Sequence, residues 1–169
     1  MLRKKSKPGV EPQIVGWKER VDLPELGLFK LRAKIDTGAQ TSALHVDTVD
    51  IQTNARGAAS VQFRFTERTA SRGSRVIACT ASLVDTRAIR SSNGDLEMRP
   101  VIRTTLTIGQ KQQPVEITLT NRDDMRYPML VGRTALRSGF LVNPGRAHML
   151  AKVQKSATAR PKRNKESKV

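Results

Sequence analysis

The chain has 169 residues, of which 37% are hydrophobic and 4% aromatic, and its formal net charge is +16. This length allows one domain with a core of its own, built mainly from aliphatic side chains. No apolar run reaches the roughly 18 residues of a membrane span, and no apolar stretch follows the basic N-terminus as in a secretory signal. The single cysteine, Cys79, excludes an intramolecular disulfide and is typical of a reducing compartment. We therefore expect a cytoplasmic protein without a membrane partner.

The positive charge is concentrated at the two ends of the chain. Residues 1–12 carry four Lys/Arg and one Glu (+3), and residues 151–169 carry seven and one (+6), which leaves +7 for residues 13–150. Because neither end has apolar periodicity, we predict two disordered basic arms around one domain at 13–150. Such arms either aid solubility or bind polyanions such as RNA weakly, and composition leaves both interpretations open.

The first half of the chain predicts short strands separated by turns. Its clearest strand is 28–35, where Arg32 and Lys34 alternate with apolar residues. The other predicted strands are 13–21, 42–46, 49–52 and 61–65. Pro24 and Gly27 predict a turn before the clearest strand, and we expect a loop at 54–59 and a polar turn at 67–74.

The second half continues this pattern and ends in a short helical turn. The predicted strands are 75–83, 100–108, 115–120 and 129–132, with a loop at 109–113, a charged connection at 121–128, a helical turn at 134–138, and a final strand and turn at 140–145. Between 87 and 99, Asn93-Gly94 separates two extended arms. This dipeptide predicts a type I′ hairpin turn, which needs positive φ at both central residues. We expect this hairpin to be exposed and mobile.

About nine or ten short strands with turn signals every eight to twelve residues predict an all-β fold, either a small closed barrel or a sandwich. The order of the strands in the sheet does not follow from the pattern.

The stretch with the clearest chemistry is Asp36-Thr37-Gly38-Ala39, at the end of the strand 28–35. Gly38 permits a tight turn and Thr37 can brace it. A carboxylate in this position can act as an acid or a base. The tetrapeptide by itself also predicts an ordinary Asx turn at the end of a hairpin, so both interpretations stay open on this motif alone.

Two motifs together resemble the retropepsin-like aspartic proteases. The first is Ile35 to Ala39 with the apolar segment after it, and the second is Met129-Leu130-Val131-Gly132-Arg133 opening a short helix. The hairpin at 89–99 stands where those enzymes carry a flap. Further segments are similar to the bacterial RimB-like branch, which accompanies RimK and carries the label ATP-dependent zinc protease: they are 34–45, 91–102, 121–136 and 140–144. The resemblance covers residues 14–150 and implies a small closed retropepsin-like barrel with one short C-terminal helix.

The resemblance implies two aspartates at about hydrogen-bond distance that share one proton. Because the chain has one Asp-Thr-Gly, the pair requires a homodimer to which each chain contributes Asp36 as its catalytic group. Thr37, Gly38 and Ala39 would form the active-site turn, and Gly132 would pack close behind it.

Gln40 departs from the retroviral pattern, in which an Asp at this place usually pairs with the residue equivalent to Arg133. The expected supporting role of Arg133 therefore depends on hydrogen bonds to the carbonyls of the turn. Otherwise Arg133 is a solvated residue in the first turn of the helix.

A group of predicted flap residues is assigned to substrate binding: Arg87, Arg90, Asn93, Gly94 and Arg99, with Arg103 nearby. Guanidinium groups suit carboxylates, although charge on an exposed hairpin can also serve solubility alone. Members of the family often accompany a RimK-type glutamate ligase that adds glutamates to a ribosomal protein. The resemblance thus implies an acidic peptide or a glutamate-tailed ribosomal protein as the substrate, and the ligase as a pathway partner.

The sequence supports neither the zinc nor the ATP of the family label. His45, His148 and Cys79 have no paired ligand spacing, and no Walker-type loop is present. We predict no metal and no cofactor.

A second function remains open, a non-catalytic retropepsin-like module that docks on the ribosome or on RNA through its basic tails. Trp17 and Tyr127 are isolated in the sequence and the tails have no aromatic residue, which disfavours RNA stacking. A strict monomer would favour this module, because Asp36 would then lack its partner.

Overall fold

The computed structural model describes residues 11–69, 71, 73–91, 93–121, 126–137 and 139–150. The predicted basic arm and basic tail therefore lie outside the described residues, except for Glu11 and Pro12, which are both exposed.

The described residues form eleven strands, one turn of 3₁₀ helix and one short α-helix. The strands are β1 Gln13–Gly16, β2 Lys18–Leu23, β3 Leu28–Ile35, β4 Ser42–His45, β5 Thr48–Thr53, β6 Ala59–Thr69, β7 Gly73–Arg90, β8 Leu96–Ile108, β9 Lys111–Thr120, β10 Met129–Val131 and β11 Phe140–Asn143. The 3₁₀ helix is Pro24–Leu26, and α1 is Arg133–Leu136. The predicted all-β class with one short C-terminal helix is confirmed.

Six strands close into a barrel in the order β2-β3-β10-β4-β9-β8, and β8 pairs back to β2 through Asp22 and Thr107. From β8, the strands β7, β6 and β5 continue as an antiparallel layer. β1 and β11 form a separate two-stranded parallel sheet, with Ile14 opposite Leu141. Closure removes the free edges of the six barrel strands, whose backbone groups would otherwise seek other partners.

The core follows the alternation of the barrel strands. In β3, Leu31, Ala33 and Ile35 are buried while Arg32 and Lys34 point outward, as a period of two requires. The largest fully buried apolar side chains of the core are Leu23, Leu28, Leu44, Ile102, Leu106, Ile108, Ile117, Leu119 and Met129. Side chains of β6 belong to the same apolar cluster, so the antiparallel layer packs on the barrel.

The hairpin between β7 and β8 does not end in the predicted type I′ turn. Pairing stops at Arg90 and Leu96, which leaves a five-residue connection. Within it, the Gly94 N–H donates to the Ser91 carbonyl at 3.0 Å. The two-residue turn predicted from Asn93-Gly94 is therefore wrong, because the pairing of the arms stops short of the dipeptide.

Two other connections are shorter than predicted. The expected loop at 109–113 is a two-residue turn, because Ile108 pairs with Lys111 and Gly109 takes a φ of 60°. The expected polar turn at 67–74 is shortened as well, since β6 continues to Thr69 and β7 begins at Gly73. In both places the paired strands continue into polar residues, whose composition is typical of a loop.

A buried carboxylate ties the start of the domain to its end. Glu19 is 1% exposed, and its Oε1 accepts hydrogen bonds at 2.8 Å from the N–H groups of both Gly16 and Met149. These bonds fix the chain on either side of Trp17, whose carbonyl accepts from the Ile35 N–H at 2.8 Å. Glu19 therefore supports the end of β3 from behind.

We expect Glu19→Ala to lower the free energy of unfolding by about 2–4 kcal/mol, because it leaves two backbone N–H groups without their acceptor. Glu19→Gln keeps Oε1 as an acceptor and should cost less. Urea unfolding measures both variants, with Glu11→Ala at an exposed site as the control. Equal stabilities for Glu19→Ala and Glu11→Ala would show that the bonds of Glu19 contribute nothing.

A second carboxylate, Glu25 of the 3₁₀ helix, predicts a pH dependence of stability. It accepts from the Thr105 N–H at 2.9 Å and from the hydroxyls of Thr104 and Thr105 at 2.9 and 3.0 Å. These hydrogen bonds, the Thr105 N–H first, hold the pKa of Glu25 below its usual 4.5. A depressed pKa in the folded state stabilises the protein above the unfolded value, and this gain is lost as the pH falls through the folded value.

Glu25→Gln should therefore be less stable than the wild type at neutral pH. The difference should shrink as the pH falls below 4.5, where the wild-type carboxylate takes up its proton. Urea unfolding over this pH range, with Glu11→Gln as the control, gives the measurement. A difference that does not change with pH would contradict the assignment.

Candidate active site

The Asp36 turn, residues 36–41, begins where β3 leaves the barrel. The Asp36 N–H donates to the Val131 carbonyl at 2.9 Å, which places the turn beside the end of β10. Its Oδ1 accepts from the Gly38 and Ala39 N–H groups at 2.9 and 3.2 Å. Its Oδ2 lies 3.9 Å from the Lys34 ammonium, and the side chain is 27% exposed. One carboxylate oxygen is thus fixed by the backbone and the other is turned outward. The geometry of an Asx turn is compatible with a chemical role for Asp36.

Gly132 packs against the back of this turn. A Cβ at this position would lie 2.7 Å from the carbonyl carbon and oxygen of Thr41 and 2.9 Å from the Gln40 oxygen. These contacts are with backbone atoms that cannot swing aside, so only glycine fits without a shift. The Gly132 N–H donates to the Ser42 hydroxyl at 3.1 Å, which holds β4 against the same point.

Arg133 holds the turn through its carbonyls. Its Nη1 donates to the carbonyls of Thr37 and Gly38 at 3.0 and 2.9 Å, and its N–H donates to the Ala39 carbonyl at 2.8 Å. The neighbouring Thr134 donates its N–H and its hydroxyl to the Gln40 carbonyl at 3.1 and 2.9 Å. Gln40 has no carboxylate to pair with Arg133, and only its backbone carbonyl takes part, as an acceptor from Thr134. Arg133 holds the turn through hydrogen bonds to backbone carbonyls, where the retroviral pattern has an ion pair.

Arg99 does not have the exposed position that was predicted for a flap residue. Its side chain is 6% exposed, its Nε donates to Glu97 Oε2 at 2.7 Å, and its Nη2 is buried without a hydrogen-bond partner. The prediction placed it on an exposed hairpin. It lies instead at the base, where β8 still belongs to the sheet and alternation puts it on the same buried face as Val101.

Arg87 lies in a network of balanced charges. Its Nε bonds Asp85 and its Nη1 bonds Glu116 Oε2, both at 2.8 Å, while Arg103 Nη2 reaches Glu116 Oε1 at 3.1 Å. The hydrogen bonds from Arg87 and then Arg103 hold the pKa of Glu116 below its usual 4.5. This network of two arginines and two carboxylates ties β7 to β8 and β9, so its cations are already paired.

The remaining predicted flap residues, Arg90, Asn93 and Gly94, lie at the exposed tip of the hairpin, where Arg90 Nη1 donates to the Gly94 carbonyl at 2.8 Å. Strand pairing sets Lys34, Leu130, Ala43, Thr118 and Val101 in one row across the sheet. The tip begins at Leu96, five residues before Val101, and is therefore about 17 Å from this row along β8. None of the bonds described above joins this tip to the Asp36 turn.

The structure does bring Arg87 close to the turn, across an open depression of about 350 Å³. The depression is lined by Gln40, Thr41, Arg87, Pro114, Val115, Glu116, Thr134 and Ala135. Sequence reasoning assigned no pocket to Gln40. The register β4–β9, with Ser42 opposite Ile117, is what sets the turn beside Glu116.

Sequence reasoning also missed an aromatic pair beside the turn. Trp17 meets Tyr127 edge to face, with ring centroids 6.1 Å apart, and the Lys18 ammonium lies 4.7 Å from the Trp17 ring centroid. The Trp17 carbonyl bonds the Ile35 N–H, one residue before Asp36. Trp17 and Tyr127 are isolated along the chain but not in space, because β2 and the segment before β10 both border β3. In the sequence, the signal that could have indicated this pair is that Trp17 and Tyr127 each lie next to a strand that borders β3.

Within the described ranges, no three His, Cys, Asp or Glu side chains come together as a metal site would require. Among the same residues, no helix has the length and apolar character needed to cross a membrane.

A family model described as "Retropepsin-like aspartic endopeptidase RimB" matches residues 14–153. The chain belongs to this RimB-like family. The match includes the Asp36 turn, the hairpin and α1, which are the segments that carried the resemblance in the sequence.

Curated relatives of this RimB-like chain are much longer proteins. One from Desulfotalea psychrophila, named probable alpha-L-glutamate ligase, is 34% identical over 165 residues, which are 94% of this chain and 34% of that protein. One of the same name from Shewanella halifaxensis is 38% identical over 138 residues, 81% of this chain and 30% of that protein. The chain thus spans about a third of the length of the curated relatives it matches.

A crystal structure from Legionella pneumophila has the same fold. That protein, Lpg0085, is of unknown function and is 27% identical, with a TM-score of 0.65 over 82% of this chain and 98% of that one.

We expect Gly132→Ala to destabilise the RimB-like domain by about 1–3 kcal/mol, because the new Cβ has to displace the backbone of Thr41. Gly145→Ala is the matched control, since its Cβ would make only an ordinary contact at 3.5 Å. Urea unfolding compares the two variants. A neutral Gly132→Ala would mean that the turn can move away from β10 at no cost.

Proposed function

We propose that this RimB-like chain is one half of an aspartic peptidase, in which two copies each contribute Asp36 to a catalytic pair. The observation that carries the proposal is the Asp36 carboxylate, with Oδ1 held by two backbone N–H groups and Oδ2 turned outward. The description of the family as aspartic endopeptidases supports it.

Two such carboxylates at hydrogen-bond distance would share one proton, because two like charges that close cannot both ionise. The ionised Asp36 takes a proton from a water molecule, whose oxygen attacks the carbonyl carbon of the peptide bond. The protonated Asp36 of the other copy donates to the carbonyl oxygen. When the tetrahedral intermediate collapses, the C–N bond breaks and the nitrogen receives the proton that the first Asp36 took from water. A hydroxyl of the intermediate returns its proton to the second Asp36 as the carbonyl of the acid product forms, so the pair again holds one proton.

The need for a homodimer follows from one Asp-Thr-Gly in 169 residues. The surface beside the turn supports it. Ile14 is 50% exposed and Leu141 is 56% exposed, side by side on the parallel sheet of β1 and β11. This sheet leads directly into Trp17 and so to the end of β3. A second copy that covered these apolar side chains would bring the two Asp36 turns toward each other.

The substrate we propose is an acidic peptide, in particular a glutamate tail that a RimK-type ligase adds to a ribosomal protein. The relatives named glutamate ligases support a shared pathway. A formal net charge of +16 favours encounters with an acidic chain. The basic ends of the chain would add weak contacts with RNA that do not depend on sequence. The lone buried Cys79 fits action in the cytoplasm.

A second candidate is a non-catalytic module that presents acidic peptides to a partner enzyme. The observation in its favour is that this chain matches only about a third of proteins named as ligases. In such a module, Asp36 would serve its turn alone and no second copy would be needed.

The decisive variant is Asp36→Asn. The Asn side chain keeps an Oδ1 that accepts from Gly38 and Ala39, so folding and dimerisation should be unchanged. Cleavage should fall by about a thousandfold or more, since an amide cannot take the proton from water. Mass spectrometry of oligoglutamate peptides and of a glutamate-tailed ribosomal protein gives the rate, and sedimentation gives the mass.

Asp50→Asn, an exposed carboxylate on β5, is the matched control and should retain full activity. Cleavage by Asp36→Asn at the wild-type rate would overturn the mechanism. A wild-type protein that stays monomeric, binds the acidic peptides and cleaves none of them would favour the binding module.

A further inference from the structure

The open depression beside the Asp36 turn can bind a side chain, and its position and chemistry indicate which one. We propose that it is a subsite for an acidic side chain of the substrate, three or four residues from the scissile bond. Gln40 is the residue that sets its specificity. This inference rests on the proposed peptidase function and adds a site to it.

The position of Gln40 is fixed relative to the catalytic carboxylate. Its carbonyl accepts two hydrogen bonds from Thr134, and the carbonyls before it are held by Arg133. Gln40 lies four positions after Asp36 in the sequence, a length of chain that spans at most about 14 Å. A substrate in extended conformation advances about 3.4 Å per residue. Side chains up to about the fourth from the scissile bond are therefore within range of the depression.

The depression contains two side-chain donor groups that no hydrogen bond among the described residues uses. The exposed side-chain amide of Gln40 takes no part in the hydrogen bonds of the described residues, in contrast to its backbone carbonyl. Arg87 uses Nε and Nη1 for its carboxylate partners, which leaves its Nη2. Both oxygens of Glu116 are occupied by arginines. A carboxylate can accept from the Gln40 amide and from Arg87 Nη2 together, whereas an ammonium group would approach two arginines and a Glu116 carboxylate that is already paired with both.

The floor of the depression suits the stem of a glutamate side chain. Pro114, Val115 and Ala135 contribute an apolar surface, against which two methylene groups can pack. A volume of about 350 Å³ lies within the range of small-molecule pockets and leaves room for the carboxylate and its water.

Because the side chain of Gln40 is neutral, it adds no charge to the depression. Arg87 and Arg103 are balanced by Asp85 and Glu116, so an entering carboxylate meets no net negative charge. An acid at position 40 would add one and repel it. Arg99 does not compete for this role, because its guanidinium is buried behind Glu97.

A two-fold axis through the catalytic pair would place one such depression on each side of the scissile bond. The substrate is then read on both flanks at once. Cleavage should therefore fall inside an acidic stretch, a few residues from either end, and single terminal glutamates should not be released.

The experiment compares Gln40→Glu with Gln110→Glu, which adds the same charge at the exposed β8–β9 turn outside the depression. The substrates are a fluorescein-labelled oligoglutamate and an oligoglutamine of equal length. We expect Gln40→Glu to lower kcat/KM for oligoglutamate about tenfold, with no such loss for oligoglutamine. Gln110→Glu should leave this ratio unchanged. Equal losses on both peptides, or equal effects of the two variants, would overturn the subsite.

Binding separates a failure of the subsite from a failure of the proposed function. Fluorescence anisotropy on the Asp36→Asn protein, with and without Gln40→Glu, measures affinity without turnover. If no variant cleaves but Gln40→Glu weakens oligoglutamate binding about tenfold, the subsite stands and the peptidase assignment falls. If the wild type cleaves and Gln40→Glu has no effect on rate or binding, the subsite falls and the peptidase stands.

The products give an independent readout. Mass spectrometry of the digested oligoglutamate should show internal cuts at least about three residues from each end. Stepwise loss of single glutamates would contradict recognition on both flanks.

Discussion

The rest of the site depends on the hydrogen bonds that the first turn of α1 donates to the Asp36 turn. Four consecutive carbonyls, from Thr37 to Gln40, leave the sheet and accept from Arg133 and Thr134 instead. Carbonyls that leave the sheet lose their strand partners, and a tight turn cannot replace them from its own backbone. The helix can approach closely enough only because Gly132 carries no Cβ. The direction of the Asp36 carboxylate is therefore set by a segment that lies 96 residues further along the chain.

Barrel closure is what brings these two segments together. β10 inserts between β3, to which it is parallel, and β4, to which it is antiparallel, and β8 closes the ring onto β2. The end of β3 is then bordered by β10 on one side and by Trp17 on the other. Ile14 and Leu141, on the sheet that leads to Trp17, are apolar and exposed. The hydrogen bond between the Trp17 carbonyl and the Ile35 N–H connects this exposed apolar sheet to the strand that ends at Asp36.

Charge acts at two scales in this protein. Over long distances, a net charge of +16 attracts acidic chains. At close range, Arg87, Arg99 and Arg103 pair with Asp85, Glu97 and Glu116, while Arg90 bonds the Gly94 carbonyl. The long-range field therefore comes from the chain as a whole, while the Gln40 side-chain amide is a donor that no hydrogen bond among the described residues uses. Counting arginines in the sequence does not separate these two effects.

Local patterns in the sequence predict most of the strands, the Asp36 turn and the glycine behind it. Period-two alternation and the Asp-Thr-Gly motif are local properties, and β3 and β10 accordingly begin and end close to where they were predicted. Only the tertiary structure decided the strand order, the burial of Arg99, the length of the hairpin loop and the pairing of Trp17 with Tyr127. Each of these depends on which strands lie side by side, and that choice is made by core packing and barrel closure between residues far apart in the chain.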